Sequence, residues 1–424
     1  MLNLADLHAT LIDDRVKGIP GGTQPFPLSE ISQKKWNVLR EDLPLPLLVL
    51  KQTALHHNLH LMKSYLEERN LSFAPHGKTS MAPQLFEMQL SAGAWAITAA
   101  TMNQVQVYRS FGIDRILLAN QLLGPQHVAY AVRELNRDQG LDLYSMVDSI
   151  DGVMLLASLA RQFNLRRPHK VLLEMGYPAG RTGCRSVVQA RGILEALRSA
   201  QDVLSLVGLG GFEGLMMTGQ PDEISAGVSS YLSFIGSFVG EIQPADMPGA
   251  TEIILTAGGS AHFDLVADVF GSVECFLPKR IVLRSGCYLT HDSEMYEVFQ
   301  EARARRGWTG KLRPALEVWS YVQSLPEPEL AILSMGKRDC PFDYKLPLPQ
   351  KLYRGTVEQP LPGCSIAALN DQHAYMKYQN GIPLKVGDKI VCGISHPCTA
   401  FDKWRFIPMV NDDYDVVDAV LTFF

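Results

Sequence analysis

The chain has 424 residues, 46% of them hydrophobic and 20% charged, the balance of a folded soluble protein with room for two or three domains. Its 39 basic and 44 acidic residues leave a formal charge of -5, which argues against nucleic acid or an anionic membrane as partner and for small molecules. Cys184, Cys275, Cys287, Cys340, Cys364, Cys392 and Cys398 show no disulfide-framework spacing. Charges interrupt the apolar positions of residues 1–15, and no apolar run reaches ~20 residues, so a cytoplasmic protein without signal peptide or transmembrane helix is expected.

Residues 1–45 read as an irregular lead-in, with Gly18, Pro20, Gly21, Gly22, Pro25 and Pro27 followed by Pro44. Over residues 46–305 short apolar runs alternate with stretches of helical period, such as 81–92 and 187–200, the pattern of βα units around a parallel sheet. Eight runs predict strands, at 71–74, 94–98, 115–119, 143–147, 171–174, 206–210, 253–257 and 281–284. Eight strands in about 215 residues is the size of a (β/α)8 TIM barrel, with a doubly wound sheet as the alternative. Residues 306–424 change texture. Short alternating runs at 316–321, 331–333 and 389–392 lie among many prolines and predict a C-terminal, mostly β domain.

Three motifs can carry chemistry. Pro75-His76-Gly77-Lys78-Thr79 follows the first predicted barrel strand, so Lys78 would sit at the C-terminal mouth, where barrels place active sites, and a desolvated lysine there can form a Schiff base. The alternative is a solvated lysine in a turn. A nucleotide-binding loop is excluded because Ser72, five residues before Gly77, stands where the required earlier glycine belongs. Gly258-Gly259-Ser260 and Gly286-Cys287-Tyr288 follow the seventh and eighth predicted strands, where barrels bind phosphate through backbone N–H groups. His396-Pro397-Cys398 could clasp a divalent ion if the segment is extended and both side chains share a face, and thiolate with imidazole is a donor set suited to Zn²⁺. A histidine beside a buried thiol is the plainer alternative. Arg181, His373 and Asp292 remain open between site and surface.

Together these motifs, with Arg181-Thr182-Gly183 and Phe401-Asp402-Lys403-Trp404, resemble the fold-type III pyridoxal-phosphate enzymes of the D-serine dehydratase and D-threonine aldolase family, related to alanine racemase. The resemblance runs from about residue 46 to 406. It implies an alanine racemase-type barrel holding pyridoxal 5'-phosphate, a C-terminal β domain and a homodimer. It further implies that Lys78 carries the cofactor as a Schiff base beside His76. Gly258, Gly259, Ser260, Gly286, Cys287 and Tyr288 would form the phosphate cup, Arg181 would approach the pyridine nitrogen, and His396 and Cys398 would bind Zn²⁺ or another divalent metal. Glu174-Met175-Gly176 and Phe212 depart from the family's usual acidic run and tyrosine. The implied reaction is dehydration and deamination of a 3-hydroxy-D-amino acid to a 2-oxo acid and ammonia, because the family's His-x-Cys pair goes with zinc-dependent dehydratases and His-x-Asp with aldolases. Retro-aldol cleavage to glycine and an aldehyde, or a non-catalytic cofactor carrier, are the rivals.

Overall fold

The computed structural model describes residues 2–217, 219–379 and 381–424. They divide into two compact units, one formed by residues 63–78 and 89–286, the other by residues 1–62, 79–88 and 287–424. The chain passes between them four times, at Met62–Lys63, Lys78–Thr79, Met88–Gln89 and Gly286–Cys287.

The first unit is built on eight parallel strands, Ser72–Phe73, Ile97–Ala99, Arg115–Gln121, Asp142–Val147, His169–Glu174, Leu204–Gly210, Ile253–Ala257 and Lys279–Leu283. Each lies at one of the eight predicted runs. Neighbours in sequence pair around the sheet, and the last strand pairs with the first. A bridge between His76 and Thr98, with backbone bonds from Trp95 to Phe73 and Thr98 to Pro75, joins the first strand to the second. The ring is therefore closed, and the doubly wound alternative falls. Inside it, Ala74, Ala96, Leu117, Tyr144, Met146, Leu172, Ile254 and Val282 form one buried cluster against Val207, a packed interior rather than a pore. The helices start where the sequence supplies caps: the side chains of Thr101, Ser149 and Ser186 accept from the backbone N–H groups of Gln104, Gly152 and Gln189, satisfying donors that a first helical turn leaves open.

The second unit is mostly β. Its main sheet runs through Leu348–Arg354, Lys389–Gly393, Leu316–Glu327, Leu330–Leu333 and Ala374–Lys377. Leu47–Lys51, inside the stretch predicted as barrel, instead pairs antiparallel with Leu316–Glu327 and parallel with Phe406–Val410. The core is aromatic: Trp319 stacks on Tyr353 at 5.2 Å and meets the edge of Tyr414 at 4.8 Å, while the buried Trp404 indole donates to the Asp339 carbonyl at 2.8 Å. No helix among the described residues is long and apolar enough to cross a membrane.

Candidate active site

In the barrel unit, the predicted cofactor residues lie on loops that leave the C-terminal ends of strands, the face on which barrels assemble their sites. After the first strand, Gly77–Thr79 makes a single 3-10 turn. A Cβ on Gly77 would stand 2.5 Å from the Tyr108 hydroxyl oxygen, so only glycine lets the chain pass this close and set the position of Lys78. His76, one residue earlier, is held well below its ordinary value by desolvation, reinforced by the positive charges of Lys78, Arg284 and Arg181. Its ring is neutral, and its buried Nδ1 has no hydrogen-bond partner.

After the fifth strand, Glu174 is buried and accepts from Thr182 Oγ1 at 2.9 Å and Gln121 Nε2 at 2.6 Å. Burial raises its pKa, although both hydrogen bonds pull the other way. Arg181 is exposed, with its guanidinium 4.4 Å above the Phe212 ring. The loop after the seventh strand turns at Gly258, whose φ of 109° needs a residue without Cβ. The Gly258 and Gly259 N–H groups do point at a carboxylate, and it is an internal one: they donate to Glu213 at 3.0 and 2.6 Å. The turn thus binds an anion, but two of the predicted phosphate donors are engaged by the chain itself. Ser260 is buried beside them. Arg284, buried just ahead of Gly286, donates to the Gly211 carbonyl and keeps an unpartnered buried Nε. Desolvation lowers its pKa, opposed by Glu213 and Glu174.

Three cations therefore act on a neutral histidine, against two buried carboxylates, and buried polar atoms on His76 and Arg284 remain unused. That surplus of positive charge and buried polar atoms fits a phosphorylated, carbonyl-bearing cofactor beside Lys78.

Cys287 and Tyr288, the last two members of the predicted cup, fall in the second unit and are buried there. Burial pushes the Tyr288 phenol well up, so it stays protonated. In the same unit, His396, Cys398 and Cys287 each place a ligand atom within 4.8 Å of the others. The His396–Cys398 pair is not extended: Cys398 opens the short helix Cys398–Phe401 after Pro397, and the turn, rather than a strand's alternation, brings the two together. His396 Nδ1 is 2.6 Å from Asp343 Oδ2, and Asp343 Oδ1 accepts from Thr399 Oγ1 at 2.5 Å. Such a carboxylate fixes the ring and leaves Nε2 for a metal. Burial works against the charged ring, but Cys398 and Asp343 raise His396 to about 9. The contact with Cys287 lowers the Cys398 pKa against the effect of burial, with His396 and Thr79 adding to the lowering. A thiolate, a second thiol and an oriented imidazole form a soft donor set that fits Zn²⁺.

Asp292 is buried and accepts backbone N–H groups from Glu294 and Tyr296 at 2.9 and 3.0 Å. Desolvation nevertheless lifts it to about 7. His373 sits in the turn between Ser365–Leu369 and Ala374–Lys377, outside the thiol cluster. Sequence reasoning did not single out Asp343, Glu213 or Arg284 and gave Cys287 only a backbone role. Position after a strand could have flagged Arg284, whereas Asp343 reaches His396 across 53 residues with no motif between them.

Residues 315–410 match the family described as "Putative serine dehydratase domain". The chain is 22% identical over 338 residues to a D-threonine aldolase of Arthrobacter sp, covering 79% of this chain and 80% of that one. Among solved structures it is similar to D-threonine aldolase from Filomicrobium marinum, with TM-score 0.73 and 20% identity over 90% of this chain and 95% of the other. It is likewise similar to D-threo-3-hydroxyaspartate dehydratase from Delftia sp. HT23, with TM-score 0.71 and 17% identity over 91% and 99%. The closed eight-stranded barrel and the β unit are the fold of these solved structures, and residues 315–410 carry the domain that the family model describes.

Proposed function

We propose that the protein is a lyase that binds pyridoxal 5'-phosphate at Lys78 and a divalent metal, Zn²⁺ by preference, at His396 and Cys398, and that it eliminates water from a 3-hydroxy-D-amino acid to yield a 2-oxo acid and ammonia. The observation that carries this choice is the donor set: a thiol beside an imidazole that Asp343 orients at 2.6 Å, which suits a softer ion than a carboxylate pair would. The cofactor supplies an electron sink at Cα and the ion Lewis acidity toward a β-oxygen.

The chain's own residues supply the rest. Lys78 would hold the carbonyl of the cofactor, and its amino group, when not so engaged, would be placed to take the α-proton. His76 stays neutral beside it and adds no like charge. Arg284 and Arg181 would hold the anionic face of the site, with Ser260 and Gly286 at its phosphate end, while the Gly258 and Gly259 N–H groups stay on Glu213. Asp343 keeps one ring nitrogen of His396 directed away from itself. The second unit and its metal donors count against a non-catalytic carrier. The resemblance also supports a homodimer, and the scattered cysteines support a reducing, cytoplasmic compartment.

A second reading has its own observation. The aldolase of Arthrobacter sp aligns over 79% of this chain, whereas the Delftia dehydratase aligns in sequence over 28%. Retro-aldol cleavage would use the same lysine and metal but leave glycine and an aldehyde. Incubating the Zn²⁺-loaded holoenzyme with D-serine, D-threonine and the 3-hydroxyaspartate isomers separates the two. The 2-oxo acid with equimolar ammonia is expected, and glycine as the sole amino product would replace the first reading by the second.

A further inference from the structure

Two protein ligands are fewer than the three that catalytic zinc sites use. We propose that Cys287 is the third, so that the chain offers a Cys2His site with one coordination position open to a small molecule. The proposal rests on the reading that His396 and Cys398 hold a metal, and it changes the role of a residue placed above in the phosphate cup.

Geometry carries it. Cys287 Sγ lies 3.6 Å from Cys398 Sγ. Two thiolates at about 2.3 Å from one tetrahedral ion stand ~3.8 Å apart, whereas sulfurs in a disulfide stand about 2.05 Å apart. Neither cysteine is in a disulfide. The spacing lets two sulfurs share an ion without moving apart, and without an ion it is a thiol–thiol contact. The Thr79 hydroxyl lies 3.4 Å from Cys398 and 3.9 Å from Cys287, holding both thiols on one side. The imidazole closes the group, since its Nδ1 is taken by Asp343 and all three ligand atoms fall within 4.8 Å. Cys287 is only 5% exposed, so its sulfur meets little water that could compete for the ion. Two sulfurs and one nitrogen select zinc-like ions over Mg²⁺ or Mn²⁺. Three protein ligands with one position left open are the arrangement of catalytic rather than structural zinc.

X-ray absorption at the zinc edge of the Zn²⁺-loaded holoenzyme tests this without mutation. Two sulfur neighbours at about 2.3 Å are expected. One sulfur overturns the role of Cys287 and leaves the His396–Cys398 reading intact, while no sulfur overturns both. In Cys287→Ser the sulfur count should fall from two to one. The zinc dissociation constant should rise by more than the roughly 10–100-fold that loss of an outer-shell partner costs. An unchanged count in that variant likewise refutes the proposal.

Discussion

The barrel unit and the β unit assemble their chemistry in opposite ways. In the barrel the reactive residues sit on loops, and what makes them a site is charge: Lys78, Arg181 and Arg284 act on a neutral His76, while Glu174 and Glu213 answer part of the surplus. In the β unit the reactive atoms are soft and close together, with two sulfurs at 3.6 Å and an imidazole tied to a carboxylate at 2.6 Å. On the proposed reading, one arrangement would recognise an anion by charge and the other a cation by a few soft donors. Damage to each should therefore fail differently.

The largest effect belongs to the barrel. Replacing Lys78 by alanine should lower turnover by about 10⁴-fold, the upper end for a positioned proton-transfer group, with metal content unchanged. In the parent protein, borohydride should fix the cofactor to Lys78, as peptide mapping by mass spectrometry can show. Label on another residue would break the assignment of the barrel's role. Next comes the β unit. Cys398→Asp exchanges a soft donor for a hard one, so preference should move from Zn²⁺ toward Mn²⁺ or Mg²⁺. Dehydration should fall roughly 10²- to 10³-fold, comparable to loss of a direct electrostatic contact. The ratio of 2-oxo acid to glycine from one substrate reads the result, and an unchanged ratio at an unchanged rate would remove Cys398 from the metal.

Asp343→Asn sharpens the comparison further. It removes the charge that orients His396 while keeping its shape, and zinc affinity should drop about 10- to 100-fold in a chelator competition while cofactor affinity holds. The smallest effect is on stability and belongs to the barrel wall. His169 is buried against Ser145 at 2.8 Å and desolvation holds it at about 4, below its ordinary 6.5. The unfolded chain therefore binds the extra proton first. This contribution is complete above pH 6.5 and is lost as pH falls toward 4, by at most about 1.4 kcal/mol per pH unit. Denaturant unfolding of wild type and His169→Gln should converge across that window, and a constant difference would show that His169 does not titrate there.

The same contrast explains what the sequence made legible. The eight barrel strands were readable because each is a short apolar run and most are followed by a stretch of helical period, signals that are all local. Leu47–Lys51 was not, since its partners in Leu316–Glu327 lie more than 260 residues away and nothing in a buried apolar run states which sheet it joins. Lys78 and the glycine turns were readable from their place after strands. Glu213 on the Gly258 and Gly259 amides, and Asp343 behind His396, are contacts between loops of unrelated sequence. Cys287 was legible only as part of a Gly-Cys-Tyr triplet, because its distance to Cys398 spans 111 residues.

The central claim is that the cofactor and the metal are held by different parts of the chain and that turnover needs both. It is tested most directly by stripping divalent ions from the holoenzyme with a chelator while following the cofactor's visible absorbance and 2-oxo acid formation in the same sample. The band should remain while product formation stops, and added Zn²⁺ should restore it. Full turnover in verified metal-free protein, or departure of the cofactor together with the ion, would contradict the account.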